Sequence, residues 1–536
     1  MSDIKKSLSD THDVADVAVG ASRDVHDLEV LGYKPEMQRN RTMFTLLFQS
    51  LAIAAIPYGF GSPLITAIYG GGQLPMFVGW VAVCMLSECV ALSLAELASR
   101  YPTSAGPYYW AYQLASPKTR TVFSFLTGWV WLIGNWTITL SVNFGMASLI
   151  AATVALYHPD FSPEPWQLLL IFYAMCILTF FIVAYGNSVL PVVDTLCAAF
   201  TILAIIATMI SMSVKADVGR HTVKDTLGFY DTTLSGWGSF SFFIGILPGA
   251  YTFSAIGMIS SMAEECGDAT VRLPRALSLC VPIGGLAGLF FVCTKLSFLD
   301  QMLIVEKIIP ICATLPDLTE IIENSPVSQA LPYIYGQVMG TPGGGLALTF
   351  LIIVITVFCS ISITVAASRC TWAFARDQAI PWSRLWSRVD ERHGVPIWAL
   401  ALTTIVQMLL GLINLGSSSA FLAFVSVGVI ALALSYGIPI SLSVFHRRRE
   451  VAAARWKMPN GIGWVVNSIA LAWIAFEVVL FAMPSVLPVT AVTMNYASVV
   501  LAGFLLISAV WYAIHARKVF TGPPESAGLT IDGESS

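Results

Sequence analysis

Charged side chains are scarce in this sequence. Asp, Glu, Lys and Arg make up 11% of its 536 residues and apolar residues 56%, whereas soluble domains usually carry about 25% charged residues. Four long stretches contain no charged residue at all, at 42–87, 121–159, 325–368 and 395–445. Each is longer than the roughly 20 apolar residues that a helix needs to span a bilayer. The shortage excludes a soluble globular protein and predicts an all-α integral membrane protein with about twelve transmembrane helices.

The sequence also lacks the patterns that mark common enzymes, metal sites and disulfide frameworks. It contains no phosphate-binding Gly-Lys loop, no His-Glu-x-x-His, no Gly-x-Ser-x-Gly and no Cys-x-x-Cys. Its ten cysteines show no paired spacing, and its seven histidines fall in tails, loops or helix ends. We therefore expect no enzyme activity, no cofactor, no metal site and no nucleic-acid partner. Without an ATP-binding loop, any energy that the protein needs would come from an ion gradient or from exchange.

Glycines, prolines and charge clusters divide the apolar stretches into twelve predicted helices. They cover 43–68, 74–98, 123–157, 166–185, 192–214, 240–262, 276–299, 345–374, 396–415, 420–445, 462–482 and 489–515. Lys and Arg concentrate in the loops after helices 2, 6, 8 and 10, and loops of that kind face the cytosol. We therefore expect a multi-pass protein of the plasma membrane or an internal membrane, with both termini cytosolic. It would have a disordered N-terminal tail at 1–41, a transmembrane domain at 42–516 and a C-terminal tail at 517–536.

The first predicted helix contains a segment that should interrupt it. Residues 56–63 read IPYGFGSP, and two prolines with two glycines in this span disfavour a continuous α-helix. Ser62 followed by Pro63 is typical of a helix start, which would direct free N–H groups into the membrane interior. Such groups suit a carboxylate. The alternative is a simple proline kink without a ligand.

The sixth predicted helix contains a comparable interruption. Gly245, Pro248 and Gly249 precede the run Ser254-Ala255-Ile256-Gly257. Paired broken helices at corresponding places in two halves indicate the substrate site of an inverted-repeat transporter. Taken alone, the Gly-x-x-x-Gly spacing of Gly245 and Gly249 is also explained by close helix packing.

Four ionisable side chains fall inside predicted helices: Glu88, Asp194, Lys295 and Glu477. A charge within the bilayer is costly, so each should face a cavity or a partner. Glu88 is the deepest, and it is a candidate counter-ion for a cationic substrate or a candidate proton site. The alternative for Glu88 is a neutral packing residue. The other three lie nearer helix ends, where their side chains could reach the interface.

Three motifs then resemble a known family. Residues 96–110 read ELASRYPTSAGPYYW, residues 262–265 read MAEE, and residues 374–381 read FARDQAIP. The first resembles a signature of the amino acid-polyamine-organocation superfamily, and it is most similar to the fungal amino acid/choline transporter branch with its GABA and choline permeases. The resemblance covers about 38–518.

This resemblance implies a LeuT-like five-plus-five inverted repeat with two extra C-terminal helices, and alternating access around a substrate held at the two breaks. It implies that several residues in helices 1, 3 and 6 bind the substrate. These are Gly59, Phe60, Gly61, Ser62, Asn135, Phe253, Ser254, Ala255, Ile256 and Gly257, with Thr139 and Ser362 as further candidates. Some proton-coupled relatives carry a lysine on helix 5, whereas helix 5 here has none before Lys215. Coupling to H⁺, coupling to Na⁺ and uncoupled exchange therefore stay open.

Three functions fit these patterns. The first is a permease for a small amine-bearing solute such as an amino acid, GABA or choline. The second is an exporter or compartment transporter of a nitrogenous secondary metabolite from a fungal gene cluster. The third is a nutrient sensor that binds amines without moving them, against which the short tails argue. The expected partners are the solute, membrane lipid and a coupling ion.

Overall fold

Twelve long apolar helices form the protein in the computed structural model, which describes residues 25–158, 160–215, 227–292, 311–416, 420–490 and 493–526. Within these residues, twelve helices are long and apolar enough to cross a membrane. In chain order they are α1 Met43–Gly61, α2 Gln73–Arg100, α3 Arg120–Tyr157, α4 Pro165–Tyr185, α5 Leu190–Lys215, α6 Gly238–Glu265, α7 Ala269–Val292, α8 Pro342–Arg376, α9 Ile397–Leu415, α10 Leu422–Phe445, α11 Asn460–Ala482 and α12 Ala497–Val519. The prediction of an all-α protein with about twelve membrane-spanning helices is confirmed.

Shorter helices connect some of the spans. They are Pro107–Leu114 between α2 and α3, Leu318–Asn324 and Ala330–Met339 between α7 and α8, and Ser383–Trp386 between α8 and α9. Many Ser and Thr residues inside the spans donate their hydroxyl groups to a carbonyl of the preceding turn. Thr137 Oγ1 donates to the Ile133 carbonyl at 2.7 Å, and Thr356 Oγ1 donates to the Ile352 carbonyl at 2.7 Å. Because such a bond pairs the hydroxyl group within the helix, these threonines are tolerated in an apolar span.

The packing of the spans follows a five-helix period. α2 packs on α7, α3 on α8 and α4 on α9, while α1 packs on α6. The contact of α3 with α10 is matched by a contact of α8 with α5. Helices α11 and α12 lie outside this arrangement, with α11 against α2 and α10 and α12 against α3 and α10. The predicted five-plus-five repeat with two extra C-terminal helices is confirmed.

Two spans begin away from their predicted positions. α7 begins at Ala269, seven residues before the predicted start, although Pro274 removes the amide that would bond to the Thr270 carbonyl. Ser99 Oγ donates to that carbonyl at 2.7 Å instead, so the helix tolerates the proline. α12 begins at Ala497, eight residues after the predicted start, because Asn495 Oδ1 accepts from the Ala497 amide at 3.1 Å and ends the preceding loop. The predicted end of helix 7, with Lys295, lies outside the described residues.

The N-terminal segment before α1 corrects the predicted boundary of the disordered tail. Residues 25–41 pack on the helices, with Leu28 and Leu31 buried. Tyr109 donates its hydroxyl to the Leu31 carbonyl at 3.0 Å, and Tyr33 donates to Asp377 at 2.8 Å. The prediction of disorder was wrong here because a few well-spaced apolar side chains suffice to attach a charged segment to a large surface. Residues 1–24 lie outside the described residues.

The first part of the C-terminal tail also contacts the helices. Phe520 is buried, and Gln113 Nε2 donates to the Pro524 carbonyl at 2.9 Å. Gly32, in the N-terminal segment, lies against the Pro524 ring. The two tail segments therefore meet at one end of the bundle, while 527–536 lie outside the described residues.

Candidate functional site

Helix α1 is broken at Ala55. It consists of α1a Met43–Ala54 and α1b Ile56–Gly61, and it is followed by α1c Leu64–Tyr69. Ala55 has φ 40° and ψ 54°, in the left-handed region that residues with a side chain rarely adopt. Pro57 cannot donate to the carbonyl of Ile53, so the chain turns at Ala55 and restarts with the proline at the second helical position. The predicted interruption is present, but it begins before the glycines.

The amides of the Gly59–Ser62 segment are not free, which corrects the expectation of open N–H groups there. The Gly59 amide donates to the Ala55 carbonyl and the Ser62 amide donates to the Tyr58 carbonyl, both at 2.8 Å. Ser62 ends α1b and does not cap α1c. Pro63 makes the second interruption, because it has no amide to continue the ladder.

Helix α6 is broken at Ala255. The segment α6a Leu247–Ser254 ends there, and α6b Ile256–Glu265 continues with the tighter 3₁₀ geometry. Runs of 3₁₀ helix longer than three or four residues are uncommon, since their hydrogen bonds are poorly aligned. Both helices predicted to be broken are therefore interrupted, each next to an alanine.

The two breaks face each other across a cavity of about 10 Å³. Tyr58 and Gly59 of α1b line it together with Tyr251, Thr252 and Ala255 of α6. Its remaining walls come from α1a, α3 and α8, through Ile53, Ala54, Ile138, Val142, Cys359 and Ile363. In this conformation the cavity is no larger than a water molecule.

Glycine at position 59 permits this close approach. A Cβ atom on Gly59 would lie 2.5 Å from the Ala54 carbonyl oxygen and 3.1 Å from Thr252 Oγ1. Both tyrosines are anchored to α3: Tyr58 donates its hydroxyl to the Val142 carbonyl at 3.1 Å, and the Tyr251 hydroxyl lies 2.9 Å from Ser141 Oγ. The cavity thus has aromatic and carbonyl groups at fixed positions.

Of the predicted binding residues, the structure brings Gly59 and Ala255 to this cavity. Phe60 and Phe253 instead pack on Trp80 of α2, with ring centroids 5.5 and 5.3 Å apart. A Cβ on Gly61 would point at Leu331, 2.7 Å away. Phe60, Phe253 and Gly61 therefore pack against neighbouring helices and do not line this cavity.

The other predicted residues lie elsewhere. Asn135 Nδ2 donates to the Trp131 carbonyl of its own helix at 2.8 Å, and Thr139 Oγ1 donates to the Asn135 carbonyl at 2.7 Å. Ser362 Oγ donates to Asp194. Ser254 and Ile256 line a second small cavity, and a Cβ on Gly257 would lie 2.5 Å from the Tyr436 ring. Ser62 is buried where α1b meets α1c.

Glu88 does not line either cavity. It is partly exposed, and one carboxyl oxygen is buried without a hydrogen-bond partner in the described part of the chain. Cys84, one turn earlier on α2, lies beside Gly285 of α7, where a Cβ would be 2.9 Å from its sulfur. Residues four apart share a helix face, so Glu88 lies toward α7 rather than toward the breaks.

A buried ion network closes the bundle at the end where α1 begins. Arg41 donates to Asp194 of α5 at 3.0 Å and to Glu265 of α6 at 3.2 Å. Arg369 of α8 donates to the same Glu265 at 2.8 Å, and Ser362 donates to Asp194 at 2.8 Å. Asp194 was expected near a helix end with access to the interface, but it is buried and paired. No local sequence pattern indicates this network.

The three motif segments meet beside this network. Arg376 donates to both carboxyl oxygens of Glu264, at 2.9 Å each, in a bidentate pair. The Ser104 amide donates to Glu264 at 3.1 Å, and Thr103 Oγ1 donates to it at 3.3 Å. Segments that are far apart in sequence therefore share one carboxylate.

Asp377, next to that arginine, joins the N-terminal segment to the motif region. Its carboxylate accepts from the hydroxyls of Tyr33 at 2.8 Å and Tyr108 at 2.7 Å. Burial raises the pKa of Asp377, and the neighbouring Arg376 acts in the opposite direction. The Arg376 guanidinium also lies 3.8 Å above the Tyr33 ring.

The opposite end of the bundle holds a cavity of about 220 Å³. Its walls include Pro63, which precedes α1c, together with Tyr69 of α1c, Leu247 at the start of α6a and Ser426 of α10. One end is thus closed by buried charges, while the other has room for a small molecule.

Comparison with known proteins places this architecture in a family. The sequence model of the family described as "Amino acid permease" matches residues 42–505. The chain belongs to this amino acid permease family. The match includes α1 to α11 and the first part of α12, so the permease is a multi-pass membrane protein and its family consists of transporters, not enzymes.

The relatives of this permease carry several substrate names. It is 30% identical to the amino-acid permease BAT1 of Arabidopsis thaliana, over 92% of this chain and 95% of the relative. It is 27% identical to a choline transporter of Saccharomyces cerevisiae, over 95% and 85% of the two chains. A polyamine transporter of the same yeast, TPO5, is 28% identical over 84% of this chain and 71% of its own.

Proposed function

We propose that this permease is a secondary transporter that moves a small amine-bearing solute, such as an amino acid, GABA or choline, by alternating access. The names of the relatives support this solute class, because amino acids, choline and polyamines share a cationic nitrogen. The candidate binding residues are those at the two breaks, of which Gly59 and Ala255 are central.

The observation that carries the proposal is the meeting of two helix breaks beside two tyrosines. The C-terminal ends of α1a and α6a both lie beside this cavity, since it is lined by Ala54 and by Ala255, which directly follows the last residue of α6a. The C-terminal end of a helix carries partial negative charge, which favours a cation. The rings of Tyr58 and Tyr251 add aromatic faces that attract an ammonium group. An amine between the breaks would therefore be favoured without any charged protein side chain.

The difference between the two ends of the helix bundle supports alternating access. The Arg41 network closes one end, and the 220 Å³ cavity lies at the other. From the distribution of Lys and Arg, we assign the Arg41 end and both termini to the cytosol. The structure would then represent a form closed toward the cytosol, with the solute entering from the opposite side.

Uptake into proteoliposomes tests the proposal. Purified protein is supplied with radiolabelled GABA, choline, putrescine and a mixture of amino acids, with a proton gradient, a sodium gradient or neither. We expect saturable uptake of at least one solute. If no solute enters faster than into protein-free vesicles under any gradient, the proposed function is wrong.

A further inference from the structure

A second cavity of about 10 Å³ lies on the other side of the α6 break. Phe253, Ser254 and Ile256 of α6 form one wall, and α2, α10 and α11 form the others. Most of the lining is apolar. The oxygen-bearing side chains in it are Ser87, Ser254, Tyr436 and Glu477.

Glu477 is the acidic group of this cavity. It lies within α11, its side chain is almost fully enclosed at 6% exposure, and Trp473 and Ile474 of the same helix line the cavity beside it. Within the described residues, no Lys, Arg or His forms an ion pair with it, since the ion pairs found there join other carboxylates. A carboxylate in hydrocarbon surroundings needs a cation or a proton.

Tyr436 places a second polar group at the same cavity. It is 2% exposed, and its hydroxyl has no hydrogen-bond partner among the described atoms. It lies directly against the break, because a Cβ on Gly257 would be 2.9 Å from the hydroxyl oxygen. Two polar groups, the Tyr436 hydroxyl and the Glu477 carboxyl, thus face one space beside the break of α6.

Among the described residues that line this space, no side chain other than Glu477 and Tyr436 titrates. On α2, Ser87 lines the cavity, whereas the following Glu88 lies toward α7. The wall from α10 contributes Tyr436, and the wall from α6 contributes Ser254, which does not titrate. α11 contains no further Asp, Glu, Lys, Arg or His.

We infer that Glu477 is a proton-binding site that couples the α6 break to a proton gradient. This rests on the proposed transport function. A proton fits the cavity better than a metal ion, because hard metal cations need several oxygen ligands and this lining is mostly apolar. The neutral acid can remain enclosed beside the break, whereas the carboxylate requires water. Loss of the proton therefore favours a conformation in which α6 moves and the cavity opens.

Infrared difference spectroscopy tests the site without any solute. Protein in lipid is titrated, and the carbonyl stretch of a protonated carboxylic acid is followed. We expect such a band in the wild type and its loss in Glu477→Gln. Glu88→Gln is the matched comparison, since Glu88 is the other acidic residue within a span for which the described residues supply no ion pair. A band that persists in Glu477→Gln, or that disappears only in Glu88→Gln, would overturn the assignment.

Transport then tests the coupling. Vesicles with the membrane potential clamped at zero receive radiolabelled GABA, or choline or putrescine if GABA is not carried. One coupled proton supports about tenfold accumulation for each pH unit of gradient. For each variant, the accumulation of the solute under the proton gradient is divided by its exchange of solute. We expect this ratio to fall about tenfold in Glu477→Gln and to recover partly in Glu477→Asp.

Accumulation that stays proton-driven in Glu477→Gln would refute the coupling. An inactive wild type would instead count against the transport function, and the infrared result would still decide whether Glu477 binds a proton.

Discussion

Replacement of Arg41 by glutamine removes the cation that joins Asp194 to Glu265. In the wild type, Arg41 is 2% exposed and donates to one carboxylate at 3.0 Å and to the other at 3.2 Å. Glu265 keeps Arg369 as a partner in the variant, whereas Asp194 keeps, among the described residues, only the Ser362 hydroxyl. The substitution therefore leaves one buried carboxylate without a cation.

The expected effect is large. Removal of one partner from a buried ion pair typically destabilises the arrangement by about 3–5 kcal/mol. At about 1.4 kcal/mol for each factor of ten, this changes the ratio of closed to open forms by about 150- to 5,000-fold. Protonation of Asp194 would recover part of this energy, so we expect at least a tenfold change.

Cys266 provides a native reporter for the opening. It follows Glu265, it is fully buried, and its backbone lies against that of Arg41. We expect a membrane-impermeant maleimide to label Cys266 slowly in wild-type protein in nanodiscs and at least tenfold faster in Arg41→Gln. Mass spectrometry of the labelled peptides distinguishes this thiol from the other cysteines.

Arg100→Gln is the matched control. Arg100 pairs with Glu450 at 3.6 Å, and the glutamate side chain is 44% exposed. Exposed pairs contribute about 0–1 kcal/mol, so labelling of Cys266 should change by less than about fivefold. Equal labelling rates in wild type and Arg41→Gln would show that the network does not close this end, and the reasoning would fail.

Two further substitutions test the cavity between the breaks. Gly59→Ala places a Cβ 2.5 Å from the Ala54 carbonyl oxygen; we expect a strain of about 1–3 kcal/mol and a matching fall in uptake. Gly503→Ala on α12, where no atom lies within 4 Å of the added carbon, should leave uptake unchanged, and equal uptake by both variants would contradict the close approach. Tyr251→Phe removes the contact with Ser141 at 2.9 Å, so we expect KM to rise by up to about tenfold for a loss of about 0.5–1.5 kcal/mol; an unaltered KM in kinetic uptake measurements would exclude Tyr251 from the site.

The twelve spans were predictable because hydropathy is a local property. Each span is an apolar run of sufficient length, and the lipid requires every backbone group in it to pair within the helix. The breaks were predictable for the same reason, since proline and glycine act on adjacent turns. The position of the first break was less predictable. Pro57 cannot donate to the carbonyl four residues earlier, and the break therefore lies at Ala55.

The walls of the cavity could not be predicted. Ile138 and Val142 of α3 are apolar residues within an apolar helix, and nothing local separates a side chain that faces the cavity from one that faces another helix. The ion network depends on residues 153 and 224 positions apart in the chain. The sequence shows which residues are charged but not which of them form ion pairs, because pairing depends on the tertiary arrangement of α1, α5, α6 and α8.

The chemistry of the closed end suits a protein that must open it repeatedly. The attraction within a buried ion pair is largely offset by the loss of hydration, so separation of the partners into water changes the free energy little. Arg41, Asp194, Glu265 and Arg369 balance one another as two cations and two anions. When this end opens, all four can be hydrated together, whereas an apolar seal of the same size would expose its surface to water at about 25 cal/mol per Å². Opening should therefore need little free energy when the network separates as a whole, and it should be favoured when one member is missing, because the remaining charge is then stranded in the closed form.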